Sequence, residues 1–182
     1  HDVESRGLGD VYKRQIDDTP LNRRVYELLK LRGLKLSVAE SFTGGGVAKK
    51  IIEIPGASEV LFESVVAYDN GSKMKRLGVS AKTLAEQGAV SDETAYEMAA
   101  GLLSTGGCTA VLSTTGIAGP ASDDTHKPVG LCYIAAGGKE AVYVYKYLFR
   151  GSRGQITARA VNQALFLLYK QIKLRKRRVR SG

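Results

Sequence analysis

Apolar residues recur at helical spacing from Leu21 through Val25, Leu28 and Leu29, and Gly33 ends the run. Thr19-Pro20 ahead of it reads as an N-cap followed by proline at the first helical position. Leu34–Ala39 then reads as a buried strand. The spacing predicts a helix from about Thr43 to Glu53, a short helix over Ser58–Phe62 and a strand over Ser64–Tyr68. Asp69-Asn70-Gly71 reads as a turn, followed by short helices at Ser72–Leu77 and Ser80–Gln87. Ser91 caps a helix with Asp92 and Glu93 in its first turn, carried on through Ala95, Met98, Ala99 and Leu102. A second buried strand, Thr109–Ser113, runs into a glycine-punctuated loop ending at Pro120. Val129–Ala136 and Ala141–Phe149 predict a hairpin across Gly137-Gly138. Ser152 to about Lys173 is a long amphipathic helix, with Ile156, Ala160, Ala164, Leu168 and Ile172 on one face. Strands alternate with helices before two adjacent strands close the sheet. The fold class expected is α/β: a three-layer α/β/α sandwich with a mixed, mostly parallel sheet.

Length and charge add boundaries to this picture. The 182 residues suit one domain, read as 19–173. Residues 1–18 lack sustained periodicity and read as a disordered or non-native appendage, and 174–182 as a basic tail. The net charge of +9 is concentrated there: Lys173, Arg175, Lys176, Arg177, Arg178 and Arg180 have no acid among them. A run of this kind is usually a solvated terminus, and it lacks the interleaved aromatics that would argue for a nucleic-acid partner. No apolar stretch approaches the ~20 residues of a membrane span, and the N-terminus lacks a signal-peptide pattern, so a cytoplasmic protein without a membrane partner is expected. Cys108 and Cys132 sit singly in apolar runs, as buried small hydrophobes do.

Candidate chemistry gathers at strand ends, where α/β sheets bind ligands. Three loops fall there: Glu40–Gly46, Tyr68–Lys73 and Thr115–Pro120. They bring together Ser41, Thr43, Tyr68, Asn70, Lys73 and Thr115. The first, Glu40-Ser41-Phe42-Thr43-Gly44-Gly45-Gly46, links a strand to a helix and could bind an anion through its amides, or could be a tight turn with a hydroxyl cap. Elimination narrows the mechanism. The histidines are His1 and His126, so a Ser-His-Asp triad has one weak candidate. No His/Cys/carboxylate cluster has metal spacing, and neither a dinucleotide nor a P-loop fingerprint is present. A hydroxyl nucleophile would then need another base. Lys73 can serve if burial or a neighbouring cation favours its neutral amine, though an ordinary solvated lysine beside Lys75 and Arg76 stays open.

Five ordered segments carry a family resemblance: Glu40–Gly45, Tyr68–Lys73, Gly88–Ser91, Thr115–Pro120 and Lys127–Gly130. From about Leu21 to Ile172 the chain resembles the C-terminal domain of the competence/damage-inducible CinA proteins, the nicotinamide-nucleotide amidases. The resemblance implies a metal- and cofactor-free Ser/Lys amidohydrolase that converts nicotinamide mononucleotide to nicotinate mononucleotide and ammonia, in pyridine-nucleotide salvage. It implies Ser41 as nucleophile, Lys73 as general base, and Tyr68 and Thr115 as groups assisting proton transfer or positioning the amide. Glu40, Thr43, Gly44, Gly45, Asn70, Gly116 and Gly119 are the expected substrate-binding residues. The amides of Thr43 to Gly45 would hold an oxyanion or phosphate, and Arg153 would hold a phosphate. The chain departs from the family in having Phe42 where cysteine is common, Gly151-Ser152-Arg153 for Gly-Asp-Arg, and Thr157 for a frequent arginine. The family's separate N-terminal domain is not in this sequence, so a stand-alone amidase is expected, with a homodimer as the assembly guess. Two alternatives remain: a catalytically weak module that binds a pyridine nucleotide, and nucleic-acid binding through the basic tail.

Overall fold

The computed structural model describes residues 18–122 and 126–174; the expected appendage up to residue 17 and the tail from 175 lie outside them. The helices are α1 (Leu21–Leu31), α2 (Gly46–Ile52), α3 (Asn70–Leu77), α4 (Ala81–Glu86), α5 (Asp92–Thr105) and α6 (Arg153–Leu174). The strands are β1 (Leu36–Glu40), β2 (Leu61–Val66), β3 (Ala110–Gly116), β4 (Leu131–Gly138) and β5 (Val142–Leu148). They form one sheet in the order β2-β1-β3-β4-β5. β1 is parallel to both neighbours, whereas β4 runs antiparallel to β3 and β5. The mixed α/β sandwich is therefore as expected, with only β4 reversed.

Side-chain alternation along the strands builds the two cores. On one face, Leu36 and Val38 of β1, Leu112 of β3 and Ile134 of β4 pack against α1, α2 and α6. On the other, Ala39, Val111 and Ala135 meet Met98, Ala99 and Leu102 of α5 and Leu77 of α3. Every residue of β1 is buried, as a central parallel strand requires. Continuing its alternation sends Glu40 toward α2 and Ser41 toward the α3/α5 side.

Several boundaries differ from expectation, each for a local reason. The helix expected over Ser58–Phe62 is a single 3₁₀ turn, Ala57–Glu59, and β2 starts at Leu61 rather than Ser64. Between Leu61 and Glu63 the strand carries one residue more than β1 opposite it, so Phe62 forms a bulge on this edge strand. The expected turn Asp69-Asn70-Gly71 is the start of α3, because the Asp69 carboxylate accepts the Gly71 N–H at 2.7 Å and caps the helix. Thr114–Gly116 belong to β3 rather than to a loop. Gly137 and Gly138 end β4, and the hairpin turns one step later. Pro20, not Thr19, occupies the cap position of α1, without a side-chain bond.

Candidate active site

Three strand ends meet at a cleft of about 260 Å³. Its polar lining is Ser41, Tyr68, Asn70, Lys73, Thr115, Ser122 and Arg153; Phe42, Val90, Ile117 and Ala118 form apolar walls. The loops after β1, β2 and β3 thus converge as their positions in sequence suggested.

Ser41 directly follows β1 and is 7% exposed. Its N–H donates to the Thr114 carbonyl at 3.0 Å, and its own carbonyl accepts the Gly44 N–H at 3.0 Å. Lys73 lies in the second half-turn of α3, and its side chain is buried at 1% exposure. Its Nζ donates to the Tyr68 carbonyl at 3.0 Å. Burial pushes the Lys73 pKa down from the usual lysine value, and the nearby Asp69 charge partly offsets this. Sequence alone could not decide between a solvated and a buried lysine; the Asp69 cap decides it by starting α3 early and turning its fourth residue inward.

The remaining walls are tied together by backbone acceptors. Thr115 donates its hydroxyl to the Ala89 carbonyl at 2.6 Å, and Lys127 donates to Gln87 and Val90 carbonyls at 2.6 and 2.7 Å. Ser91 caps α5 through the Thr94 N–H at 3.1 Å, and both hydroxyls donate to the Gly88 carbonyl. The segment Gly88–Ser91 is thereby pinned as one side of the cleft. Across it, Arg153 at the start of α6 donates to the Gly119 carbonyl at 2.6 Å and to the Tyr68 hydroxyl at 2.7 Å. Gly116 sits so close to β4 that an added Cβ would lie 2.6 Å from Cys132 Cβ.

Part of the expected binding set is turned away from the cleft. Glu40 and Thr43 are buried beneath the loop, and Glu40 accepts hydrogen bonds from the Thr43 hydroxyl and the Gly45 N–H at 2.6 and 3.1 Å. Gly44 and Gly45 do not line the cleft. Gly45 instead supplies the left-handed turn, φ 94°, that starts α2. The amides of Gly44 and Gly45 are thus bonded within the protein, to the Ser41 carbonyl and the Glu40 carboxylate. Among the described residues, the amides of this loop that have no partner are those of Phe42 and Thr43.

The family model for the CinA C-terminal domain matches residues 18–172. The chain belongs to this family. It is 48% identical over 156 residues to a CinA-like protein of Fusobacterium nucleatum subsp. nucleatum, covering 85% of this chain and 38% of that one. It is 46% identical over 160 residues to a CinA-like protein of Kosmotoga olearia, covering 87% and 38%. The chain therefore spans about two fifths of the length of such curated relatives. Among solved structures, competence damage-inducible protein A from Klebsiella pneumoniae superposes with a TM-score of 0.83 at 29% identity, covering 86% of this chain and 97% of that one. The competence/damage inducible protein CihA from Agrobacterium tumefaciens gives 0.80 at 37% identity, covering 83% and 93%.

Within this CinA domain, Phe42 is 6% exposed, shares the core cluster that includes residues of α2 and α6, and forms a wall of the cleft. Ala89 and Val90 were missed as cleft residues because small apolar side chains carry no chemical signature. The signal available was positional, a glycine followed by an α5 cap. Both cysteines are free and buried, and burial pushes the Cys132 thiol up to about 12. No described helix is long and apolar enough to cross a membrane.

Proposed function

We propose that this CinA domain hydrolyses the carboxamide of nicotinamide mononucleotide, releasing ammonia and nicotinate mononucleotide through an acyl-enzyme on Ser41. The observation that carries the reading is the buried Lys73, its pKa lowered by desolvation, lining the same cleft as Ser41. A neutral lysine amine takes the Ser41 proton as Oγ attacks the amide carbon, then returns it to the departing nitrogen as the C–N bond breaks. Water then attacks the ester, regenerating Ser41 and the carboxylic acid. The oxyanion of each tetrahedral intermediate is assigned to the amides of Phe42 and Thr43. Phe42, Val90 and Ile117 offer apolar contact to a pyridine ring. Arg153 is the guanidinium among the described cleft residues, and its charge suits the 5′-phosphate. Tyr68 would hold Arg153 through its hydroxyl and Lys73 through its carbonyl, and Asn70, Gly116, Gly119 and Thr115 complete the walls.

Ser41→Ala is expected to abolish ammonia release while leaving the circular dichroism spectrum and melting temperature close to wild type. Turnover retained in that variant would overturn the assignment of the nucleophile.

A further inference from the structure

The loop bearing Ser41 is closed from beneath by one carboxylate. Glu40 ends β1 at 0% exposure. Its Oε2 accepts from the Thr43 hydroxyl at 2.6 Å and from the N–H groups of Gly45 and Val47, each at 3.1 Å. Its Oε1 accepts the Ala48 N–H at 2.9 Å. Thr43 Oγ1 in turn lies 2.7 Å from Thr114 Oγ1 on β3. Three of the four donors are amides at the start of α2, which would otherwise be unpaired and open to an external anion. The carboxylate takes that place from within, as a negative charge at the positive end of the helix.

The rest of the turn is bonded just as tightly. Ser41 is held to β3 by the Thr114 carbonyl, Gly44 N–H closes on Ser41, and Gly46 N–H closes on Thr43. What remains without a partner among the described residues is a pair of consecutive amides, Phe42 and Thr43, immediately after the candidate nucleophile. Glu40 itself does not line the cleft.

We propose that Glu40 is a positioning residue for acyl transfer: by binding the Thr43 hydroxyl and the amides of Gly45, Val47 and Ala48, it fixes the Ser41–Gly44 turn so that the Phe42 and Thr43 amides are aimed at the oxyanion. The proposal rests on the amidase reading. Donors fixed in advance stabilise the transition state without reorganising, so loosening them lowers kcat far more than it raises KM. The site also dictates the chemistry of the residue. All four partners of Glu40 are donors, so both oxygens must accept. Glutamine keeps one acceptor, and its NH2 at the Oε1 position would face the Ala48 N–H, donor against donor.

The test compares wild type with Glu40→Gln and Thr43→Val in the whole chain. Three quantities are read: kcat and KM for ammonia release from nicotinamide mononucleotide, affinity for 3-pyridineboronic acid as a tetrahedral-adduct probe, and amide hydrogen exchange at Gly45, Val47 and Ala48. Glu40→Gln is expected to lower kcat about 10- to 100-fold with KM within about 3-fold, to lose boronate affinity in parallel, and to exchange faster at the three amides. Thr43→Val removes one of four donors and covers the case in which Glu40→Gln does not fold; a smaller kcat loss, about 3- to 10-fold, is expected. Faster exchange with unchanged kcat and boronate affinity would make the carboxylate a structural cap only and overturn the proposal. Wild type that binds boronate but releases no ammonia would sink the mononucleotide amide as substrate, and the boronate affinity of Glu40→Gln would still decide the role of Glu40. Wild type that does neither would overturn both.

Discussion

Lys73 is the residue on which the proposed chemistry turns, and its burial has two measurable consequences. For the rate, kcat/KM is expected to rise with pH as the amine loses its proton, with a midpoint below the ordinary lysine value of 10.5. For stability the sign follows from proton counting. The folded pKa lies below the unfolded one, so between the two the unfolded chain binds more protons and stability increases with pH. The penalty is full below the folded pKa and vanishes above 10.5. Lys73→Met should therefore melt above wild type at pH 7, by about 2–4 °C if about 1 kcal/mol is relieved. That advantage should narrow as the pH of the melts approaches the unfolded lysine pKa. A variant less stable than wild type throughout would show that the bond to the Tyr68 carbonyl outweighs desolvation.

At the scale of elements, the position of α3 depends on one close crossing. Gly101 of α5 packs against the end of α3, and an added Cβ would overlap the carbonyl of Leu77. Gly101→Ala must push the helix carrying Lys73 away from α5. Overpacking of this kind typically costs about 1–3 kcal/mol, and here it should also lower kcat, because Lys73 moves with its helix. Thermal melts and steady-state kinetics on the variant check both; full activity at reduced stability would mean that α3 shifts without displacing the lysine. Helix spacing made α5 and α6 legible from sequence to within a few residues, since each buries a regular apolar face. The edge strand β2 was not legible in the same way. A single bulged residue, Phe62, changes register without changing composition, and the apolar cluster around it reads equally well as a turn of helix. The start of α3 was obscured for a related reason: Asp-Asn-Gly favours a turn locally, and only the Asp69 bond to Gly71 shows that the turn continues.

Across the whole molecule, the convergence of three strand-end loops was legible because parallel strands send their carboxyl ends to one rim. Ser41, Lys73, Tyr68 and Thr115 were found for that reason, and all four line the cleft. Glu40 and Thr43 belong to the same conspicuous segment but bury their side chains beneath the loop, and Gly44 and Gly45 lie outside the cleft lining. An acid, a hydroxyl and glycines beside a helix start have the composition of an anion site, and only the fold shows that the acid is the anion. The site is therefore a layered one, with a buried carboxylate network beneath the turn and a serine and a lysine above it. The most direct measurement is ammonia release from nicotinamide mononucleotide by wild type and Lys73→Ala side by side, each with and without EDTA. Release by wild type alone, unchanged by EDTA, is the result this account predicts. Equal release by the two proteins, or none from folded wild type, would contradict it.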